Sequence, residues 1–387
     1  MMKLIKNKED SFCYPKVNIK NNECPWCLSK NIRDGQCFDC GKKIDKIYYK
    51  ERIIKISNSH TIRMKFNLSN EQKKASLFFL DHYKKRNNAF LYAVCGSGKT
   101  EIMYESIKEC LNDGLKPLIA IPRKEIVQEL YSRLKNVFIN THISFIDGTH
   151  HDDSGQLLIS TVNQLINYEN EFDLIVLDEA DAYPYSDSPF LHRLIQKGLK
   201  KDGVLFMMSA TKKERINYDT FTLKRRYHNH DLSMPIFINI EDKEIAKSSV
   251  FHNIIKGNRK FIIYVPSIEY GRKLSNTLNA LMISSKSDNP DKIINRFKSG
   301  DDKILISTTI LERGITINDL DVIVFEADNP VFTHQTIIQI CGRVGRSFED
   351  PTGNIYIFYR KNRIKFYLVK KYIRRMNSWD AQYVVLY

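Results

Sequence analysis

Long apolar runs are missing from this 387-residue sequence, and no stretch approaches the ~18 residues that a membrane-spanning helix needs. The first residues, "MMKLIKNKED", carry positive charge but no apolar segment, so we expect no secretory signal peptide. The length suits two or three domains of ordinary size. These features predict a cytoplasmic protein, and they leave open a peripheral attachment to a membrane.

The middle of the chain carries no excess of positive charge. Residues 1–65 hold 15 basic and 7 acidic side chains, and residues 355–387 hold 8 and 1. The net charge of +15 therefore comes entirely from the two ends, because the residues between them are balanced. Charge concentrated in this way is typical of a protein that binds a polyanion. The alternative is an ordinary solvated surface in a lysine-rich protein.

Cysteine is scarce, with eight residues, but four of them form the pattern "CPWCLSKNIRDGQCFDC". Each C-x2-C pair can turn so that two thiolates face one point, and two pairs complete a tetrahedral zinc site. Disulfides fit poorly, because the chain has no secretory signal. Four protein ligands leave no open coordination position, so we expect this Zn²⁺ to stabilise structure. The predicted ligands are Cys24, Cys27, Cys37 and Cys40.

Two glycines and two aromatic residues belong to this zinc module. Gly35 and Gly41 stand where the metal-binding turns and their exits need unusual backbone angles. Trp26 and Phe38 each lie between the two cysteines of a pair, where packing beside the metal is favoured over stacking on bases. So small a module has little core, and structural zinc contributes on the order of 10–16 kcal/mol to the folding of comparable peptides.

The stretch "FLYAVCGSGKTE" (residues 90–101) combines an apolar run, a glycine-rich turn and the start of a helix. It matches the end of the G-x-x-x-x-G-K-[ST] phosphate loop, with Ala93 in place of the first glycine. Its backbone N–H groups are expected to bind the α- and β-phosphates of ATP at a helix N-terminus. Lys99 then contacts the β- and γ-phosphates, and the Thr100 hydroxyl binds Mg²⁺. The loop residues predicted to bind nucleotide are Gly96, Ser97, Gly98, Lys99 and Thr100.

The segment "FDLIVLDEAD" is the expected counterpart of that loop. The apolar, β-branched run 174–177 predicts a buried parallel strand, and Asp178 stands at its carboxyl end, where open α/β sheets bind ligands. We expect Asp178 to help bind Mg²⁺ and Glu179 to orient or deprotonate the attacking water. No role is assigned to Ala180 and Asp181.

Predicted strands and helices alternate along the rest of the chain, which indicates an α/β fold. One series runs through "KPLIAIPRKEIVQEL", "LLISTVNQL" and "VLFMMSATKK". A second begins near residue 250 and ends in "QTIIQICGRVGRS", with two arginines at a helical i, i+3 spacing. The second series contains no phosphate loop. The predicted organisation is a basic segment with the zinc module (1–65), an ATP-binding lobe (66–247) and a second lobe with a basic helical tail (248–387).

The order of these motifs resembles that of superfamily 2 helicases and translocases across residues 66–360. The resemblance implies two RecA-like parallel-sheet lobes. It implies that Gln72 recognises adenine, that Ser209-Ala210-Thr211 couples hydrolysis to lobe movement, and that Gly314 lies in the motif linking the γ-phosphate to nucleic acid. It also implies that Gln339, Arg343 and Arg346 reach the phosphates of the bound nucleotide.

The letters Asp-Glu-Ala-Asp suggest an RNA helicase, but three other segments depart from that family. "IPRKEIVQEL" stands in place of P-T-R-E-L-A, residues 312–316 read E-R-G-I-T, and the last motif is "QICGRVGR". The combination with a preceding four-cysteine module resembles the ComFA family of late-competence ATPases. That resemblance implies an ATPase stimulated by single-stranded DNA at the inner face of the membrane, which works with other competence proteins to pull transforming DNA through an uptake channel.

Two alternatives remain at this point. A PriA-like helicase of replication restart shares the motor, although that family places its cysteines within the second lobe and has a larger N-terminal domain. A zinc-dependent DNA-binding adaptor with a silent ATPase belongs to a different class. Lys99, Asp178 and Glu179 are intact and argue against silence. No small-molecule substrate beyond ATP is expected.

Overall fold

The chain folds into two compact units. Of the residues that the structure describes, the first unit contains those up to Ala93 together with Gly98–Leu223, and the second contains Val94–Ser97 and those from Lys224 to Ser378. The predicted lobe boundary between 247 and 248 thus falls inside the second unit, and the predicted N-terminal segment belongs to the first. The computed structural model describes residues 2–6, 17, 22–45, 47–182, 184–211, 217–240, 245–300, 302–308 and 317–378.

The N-terminal segment contributes short strands to the first unit. Two of them form a hairpin inside the zinc module, and two others pair antiparallel with each other. The strands are β1 (Met2–Lys6), β2 (Ile32–Arg33), β3 (Gln36–Cys37), β4 (Ile47–Lys50) and β5 (Thr61–Ile62).

The rest of the first unit alternates strands with helices, as predicted. Short 3₁₀ turns at Lys124–Ile126, Val162–Asn167 and Tyr185–Asp187 join some of them. The elements are α1 (Asn70–Lys84), β6 (Ala89–Ala93), α2 (Lys99–Ile102), α3 (Tyr104–Asn112), β7 (Pro117–Ile121), α4 (Val127–Val137), β8 (Phe138–Ile139), β9 (Ile143–Ile146), β10 (Leu157–Thr161), β11 (Tyr168–Glu169), β12 (Phe172–Leu177), α5 (Pro189–Gly198), β13 (Leu199–Ser209) and β14 (Asp219–Leu223).

A seven-stranded sheet forms the centre of the first unit, in the order β14-β6-β13-β12-β7-β10-β9, and each pair is parallel. Every residue of β6, β7, β10 and β12 is buried, because helices or the N-terminal segment cover both faces. The prediction of a buried parallel strand before Asp178 is therefore confirmed. Parallel strands end at the same edge, so the loops after β6, β12 and β13 meet there.

The zinc module and β1 pack directly on this unit. Trp26 and Leu4, each 2% exposed, join one hydrophobic cluster with side chains of the central sheet and of α5. β1 also pairs antiparallel with β11, where Met2 faces Glu169. The N-terminal segment is thus part of the core of the first unit. Removing it would expose the apolar surface that it covers.

A buried cluster of charged side chains joins the residues that follow the zinc module to the first unit. Arg52 donates to Glu171 Oε1 at 3.2 Å and to the carbonyl oxygens of Asp153 and Gly155 at 2.8 and 2.7 Å. Lys116 contacts the same Glu171 oxygen at 3.1 Å. The Glu171 side chain has no solvent exposure, so its charge depends on these two cations.

Replacing Arg52 with alanine should therefore lower the free energy of unfolding by about 3–5 kcal/mol, because the buried Glu171 loses a partner and two carbonyl groups lose their donor. Urea unfolding would measure the change. Lys85→Ala is the matched control, since Lys85 pairs with Asp81 on an exposed helical face, where such a pair contributes about 1 kcal/mol or less. Equal losses for the two variants would show that the Arg52 group does not hold the unit together.

The second unit repeats the α/β plan without a phosphate loop in its own strand–helix series. Its six-stranded parallel sheet has the order β15-β20-β19-β16-β18-β17. Among the described residues, no helix is long and apolar enough to span a bilayer. The elements are β15 (Ile236–Asn239), α6 (Ser249–Ile255), β16 (Lys260–Tyr264), α7 (Ile268–Leu278), β17 (Leu281–Ile283), α8 (Pro290–Ser299), β18 (Ile304–Ser307), β19 (Leu320–Val324), α9 (His334–Cys341), β20 (Ile355–Tyr359) and α10 (Ile364–Asn377).

Candidate nucleotide site and zinc centre

The phosphate loop follows β6 and has the backbone conformation that its glycines allow. Gly96 and Gly98 have φ values of 78° and 71°, in the left-handed region. Ala93, in place of the usual first glycine, lies at the end of β6 in extended conformation and needs no positive φ. Ser97 is fully buried within the loop.

Gln72 lies beside this loop, as the predicted adenine-recognition residue should. Its Oε1 accepts the backbone N–H of Ser69 at 2.8 Å, and Ser69 Oγ accepts the N–H of Gln72, which forms a capping box at the start of α1. The box fixes the direction of the carboxamide. A Cβ atom at Gly98 would come 2.4 Å from Gln72 Nε2, so the close approach of the two segments requires glycine there.

Lys99, Thr100 and Asp178 provide the groups expected around a Mg²⁺-nucleotide. Lys99 and Thr100 begin α2, and Asp178 follows β12, where its N–H donates to the Ala120 carbonyl. Loss of solvent raises the pKa of Asp178, while the nearby Lys99 charge opposes that rise. A hydroxyl and a carboxylate are the hard oxygen ligands that Mg²⁺ prefers, so the donor set fits this ion. When bound, Mg²⁺ neutralises phosphate charge.

Glu179 adopts a left-handed conformation, with φ of 54°, which is uncommon for a residue with a side chain. The turn is held by two contacts: the Glu179 N–H donates to Asp178 Oδ1 at 2.8 Å, and the Ala180 N–H donates to the Met208 carbonyl at 2.9 Å. Backbone strain of this kind costs about 1–3 kcal/mol and is common at functional sites.

Asp181, to which the sequence assigned no role, takes part in the same site. Its Oδ2 accepts a hydrogen bond from the Thr211 hydroxyl at 2.9 Å. Thr211 in turn donates its N–H to Ser209 Oγ at 3.0 Å, at the end of β13. The acidic turn and the Ser-Ala-Thr segment are therefore joined by a direct hydrogen bond. The only sequence signal for this hydrogen bond was that the chain contains both the Asp-Glu-Ala-Asp turn and the Ser-Ala-Thr segment.

The predicted site residues of the second unit lie around the end of α9. Gln339 is buried on that helix, and Arg343 is 1% exposed. The expected helical spacing of Arg343 and Arg346 is wrong, because α9 ends at Cys341 and both arginines lie in the turn that follows. Gly342 caps the helix, and Gly345 further along this turn has a positive φ of 64°. Gly314 lies outside the described residues.

The four predicted zinc ligands converge on one point. Cys24 Sγ and Cys40 Sγ are 3.7 Å apart, Cys27 Sγ and Cys37 Sγ are 3.6 Å apart, and all four sulfurs lie within 4.8 Å of one another. A tetrahedral site with Zn–S bonds of about 2.3 Å places sulfurs about 3.8 Å apart, so the geometry fits Zn²⁺.

The residues around the sulfurs behave largely as predicted. Gly35 and Gly41 have φ values of 71° and 68°. The Trp26 indole is buried and donates to the Lys43 carbonyl at 3.1 Å, so it packs beside the metal site as expected. Phe38 differs, since it is 62% exposed with the Arg33 guanidinium 5.7 Å from its ring centre.

Helix α5 of the first unit holds both metal-binding turns. Arg193 donates to the Cys27 carbonyl at 3.1 Å and to the Asp39 carboxylate at 2.6 Å. Lys197 is buried and donates to the Pro25 carbonyl at 3.2 Å, and burial lowers its pKa to about 7. The module therefore gains its position from polar contacts with α5 as well as from apolar packing.

Comparisons with known proteins identify the family. Residues 65–214 match the model described as "Type III restriction enzyme, res subunit", and residues 246–348 match "Helicase conserved C-terminal domain". The competence protein ComFA of Bacillus subtilis is 31% identical over 84% of this chain and 76% of that protein, and that of Streptococcus pneumoniae is 32% identical over 79% and 76%. The chain belongs to the ComFA family.

The fold agrees with that assignment. A structure of Saccharomyces cerevisiae Dbp5 bound to RNA and ADP BeF3 matches with a TM-score of 0.58 and 18% identity, over 80% of this chain and 92% of that one. Such low identity shows the fold alone, which is two RecA-like parallel-sheet lobes. Together with the ComFA relatives, the helicase models make this chain an ATP-hydrolysing enzyme of the superfamily 2 helicase type. The roles of its individual site residues stay predictions.

Removing zinc should weaken the first unit as a whole, because the module shares that unit's core. Cys37→Ser should abolish binding of one zinc ion per chain and lower the melting temperature of the first unit by about 10 °C, at 2–4 °C per kcal/mol for a domain of this size. Metal analysis and scanning calorimetry measure both effects. Cys110→Ala is the control, since Cys110 is buried within another part of the unit. An unchanged melting temperature after zinc loss would show that the module does not stabilise the unit.

Proposed function

We propose that this ComFA-family chain is an ATP-driven motor on single-stranded DNA that moves transforming DNA during natural competence. The observation that carries the proposal is the intact set of nucleotide-site residues in a chain of this family. Lys99, Thr100, Asp178 and Glu179 stand at the same carboxyl edge of one sheet, with Gln72 beside the phosphate loop. A protein that did not hydrolyse ATP would not need all of these nucleotide-site residues.

The proposed hydrolysis follows from the chemistry of these groups. The loop N–H groups and Lys99 bind the phosphates, and Glu179 positions the water that attacks the γ-phosphate. Arg343, Arg346 and Gln339 supply the positive charge and hydrogen bonds that stabilise the transferring phosphoryl group. Arginines in such a role increase the rate about 10³–10⁵-fold in well-studied nucleotidases. The bond from Asp181 to Thr211 lets a change at the acidic turn reach the Ser-Ala-Thr segment.

Exposed charge on α10 supports nucleic-acid binding. Residues 355–379 contain no acidic residue, and the buried face of α10 (Phe366, Val369, Ile373 and Met376) packs on the second unit. The helix is therefore docked and has a basic outer face. Not every cation faces solvent, since Lys365 donates to the carbonyls of Asn329 and Phe332 at 2.7 Å. The exposed cations near and on the helix are Arg360, Lys361, Arg363, Lys371, Arg374 and Arg375.

The zinc module offers less to DNA than its lysines suggest. Residues 22–45 hold four basic and four acidic side chains, and a zinc ion with four thiolates adds a net charge of about −2. Lys42 is engaged internally, with its amine 3.9 Å from the Trp26 ring centre and 3.3 Å from Asn167 Oδ1. We therefore assign the module a structural role and the DNA contacts to the two lobes.

The proposed location is the cytoplasm, with peripheral attachment at the inner face of the membrane beside the DNA-uptake channel and other competence proteins. Family membership supports this, and the exposed cations on α10 would be attracted to anionic lipid headgroups. Fractionation of cells tests it: release from the membrane fraction by high salt is expected, and recovery only in the soluble fraction at low salt would contradict it.

ATP turnover measured with poly(dT), duplex DNA and poly(U) at matched salt tests the main proposal. We expect the largest stimulation, at least about tenfold, with poly(dT). Lys99→Ala should abolish turnover, because the β- and γ-phosphates lose their cation. The affinity for poly(dT) should fall with salt, by a log–log slope of about −0.7 per phosphate contact.

Lys273→Ala is the matched control, since this exposed lysine pairs with Glu269 on α7 and belongs to no motif. It should keep the turnover and the DNA response of the natural chain. Turnover that does not respond to poly(dT), or that responds more strongly to poly(U), would contradict a single-stranded-DNA motor.

A further inference from the structure

Three consecutive residues at the start of the second unit contact the backbone of the turn that carries Arg343 and Arg346. Arg226 is 2% exposed, and its Nη1 donates to the carbonyl oxygens of Val344 and Gly345 at 2.6 and 2.5 Å. Its Nη2 lies 3.5 Å from the Gly342 carbonyl. One planar guanidinium therefore holds three carbonyl groups of a single turn, which an amine could not do with the same geometry.

Tyr227 and His228 extend these contacts. The Tyr227 hydroxyl donates to the Arg346 carbonyl at 2.8 Å, although the tyrosine itself is 41% exposed. His228 Nδ1 accepts the backbone N–H of His230 at 3.2 Å, so its Nε2 carries the proton and donates to the Gly345 carbonyl at 2.9 Å. We call Arg226, Tyr227 and His228 the RYH clamp.

The clamp is itself held in place. The Asn229 N–H donates to the Arg226 carbonyl at 2.9 Å, and Asn229 adopts a positive φ of 63°, so the chain reverses just after the clamp. Arg225 forms an ion pair with Asp231 across this reversal. The three side chains are therefore presented by a closed loop.

The turn that the clamp contacts needs such support. Gly345 has a positive φ, and a Cβ atom there would come 2.2 Å from the Pro351 carbonyl, so the backbone is tightly enclosed on that side. Arg346 Nε donates to the Gly342 carbonyl at 2.8 Å, the same carbonyl that Arg226 approaches. Burial, and then the like charge of Arg346, lowers the pKa of Arg226 to about 10. Cations gathered in this way favour an anionic ligand.

We propose that the RYH clamp is a positioning device for the arginine turn, which sets the backbone at Gly342–Arg346 so that Arg343 and Arg346 can stabilise the transferring phosphoryl group. The clamp does not touch the nucleotide in this role. The inference rests on the proposed ATPase function. It adds three positioning residues that lie far from "QICGRVGR" in the sequence.

Tyr227→Phe tests the clamp with the least disturbance, because it removes one hydroxyl from an exposed ring. At saturating poly(dT), kcat should fall about 3- to 10-fold, as the loss of one hydrogen bond of about 1 kcal/mol predicts. KM for ATP and the affinity for a fluorescent ATP analogue should stay within about twofold, because the arginines act on charge that develops in the transition state. The melting temperature should not change measurably.

Arg226→Lys and Arg226→Met form the second arm. Lysine keeps the charge and should retain part of kcat, whereas methionine should lose at least about a further tenfold, because it removes the charge and every hydrogen bond that the guanidinium donates to the turn. Tyr367→Phe is the control, since this tyrosine is 62% exposed on α10 and lies outside the clamp.

If Tyr227→Phe keeps the kcat of the unsubstituted protein, the positioning role is overturned. An equal loss of kcat in Arg226→Lys and Arg226→Met, with matching falls in melting temperature, would also overturn it and show that Arg226 has a purely structural role. Absence of ATP turnover in the natural chain would instead overturn the proposed function on which the clamp rests. Measuring the ATP turnover of the unsubstituted protein therefore distinguishes failure of the clamp proposal from failure of the proposed function.

Discussion

Burial of both faces of the parallel sheets is the constraint from which the rest of the molecule follows. The residues of β6, β12 and β19 are all buried, and most of their side chains are apolar. The two carboxylates on these strands, Asp173 and Asp321, form ion pairs with Lys200 and Arg259. The side chains predicted to bind nucleotide lie where the strands end. Lys99 follows β6 and Asp178 follows β12, at the same carboxyl edge. The position of the nucleotide site is therefore a consequence of how the sheet excludes water.

The same exclusion of water explains why the zinc module is more than an appended domain. Its tryptophan and its three buried cysteines share a hydrophobic cluster with the central sheet, and α5 contacts both of its turns through Arg193 and Lys197. A zinc ion held by the four cysteines would fix the shape of the surface that meets the sheet. Zinc affinity and the stability of the ATP-binding unit would then be linked, because each depends on the other's packing.

Sequence reasoning identified the local features well and the contacts between distant segments poorly. Gly98, Asp178 and the four-cysteine pattern could be predicted, because each has a fixed spacing imposed by one ligand. Asp181 was dismissed, since only its bond to Thr211 reveals a role. The two arginines were placed on a helix, because their spacing fits one and the positive φ of Gly345 has no reliable sequence signal.

By itself the sequence determined the α/β class, the phosphate loop with its acidic partner, and the four-cysteine cluster, because these depend on short-range spacing and on the alternation of apolar segments. Tertiary structure alone decided that the N-terminal segment is part of the first unit, and that Arg226 holds the turn before Arg346. The physical reason is that buried polar groups must find partners wherever the fold brings them. A guanidinium can donate hydrogen bonds to carbonyl groups more than a hundred residues away in the sequence, and no local sequence pattern predicts such a contact.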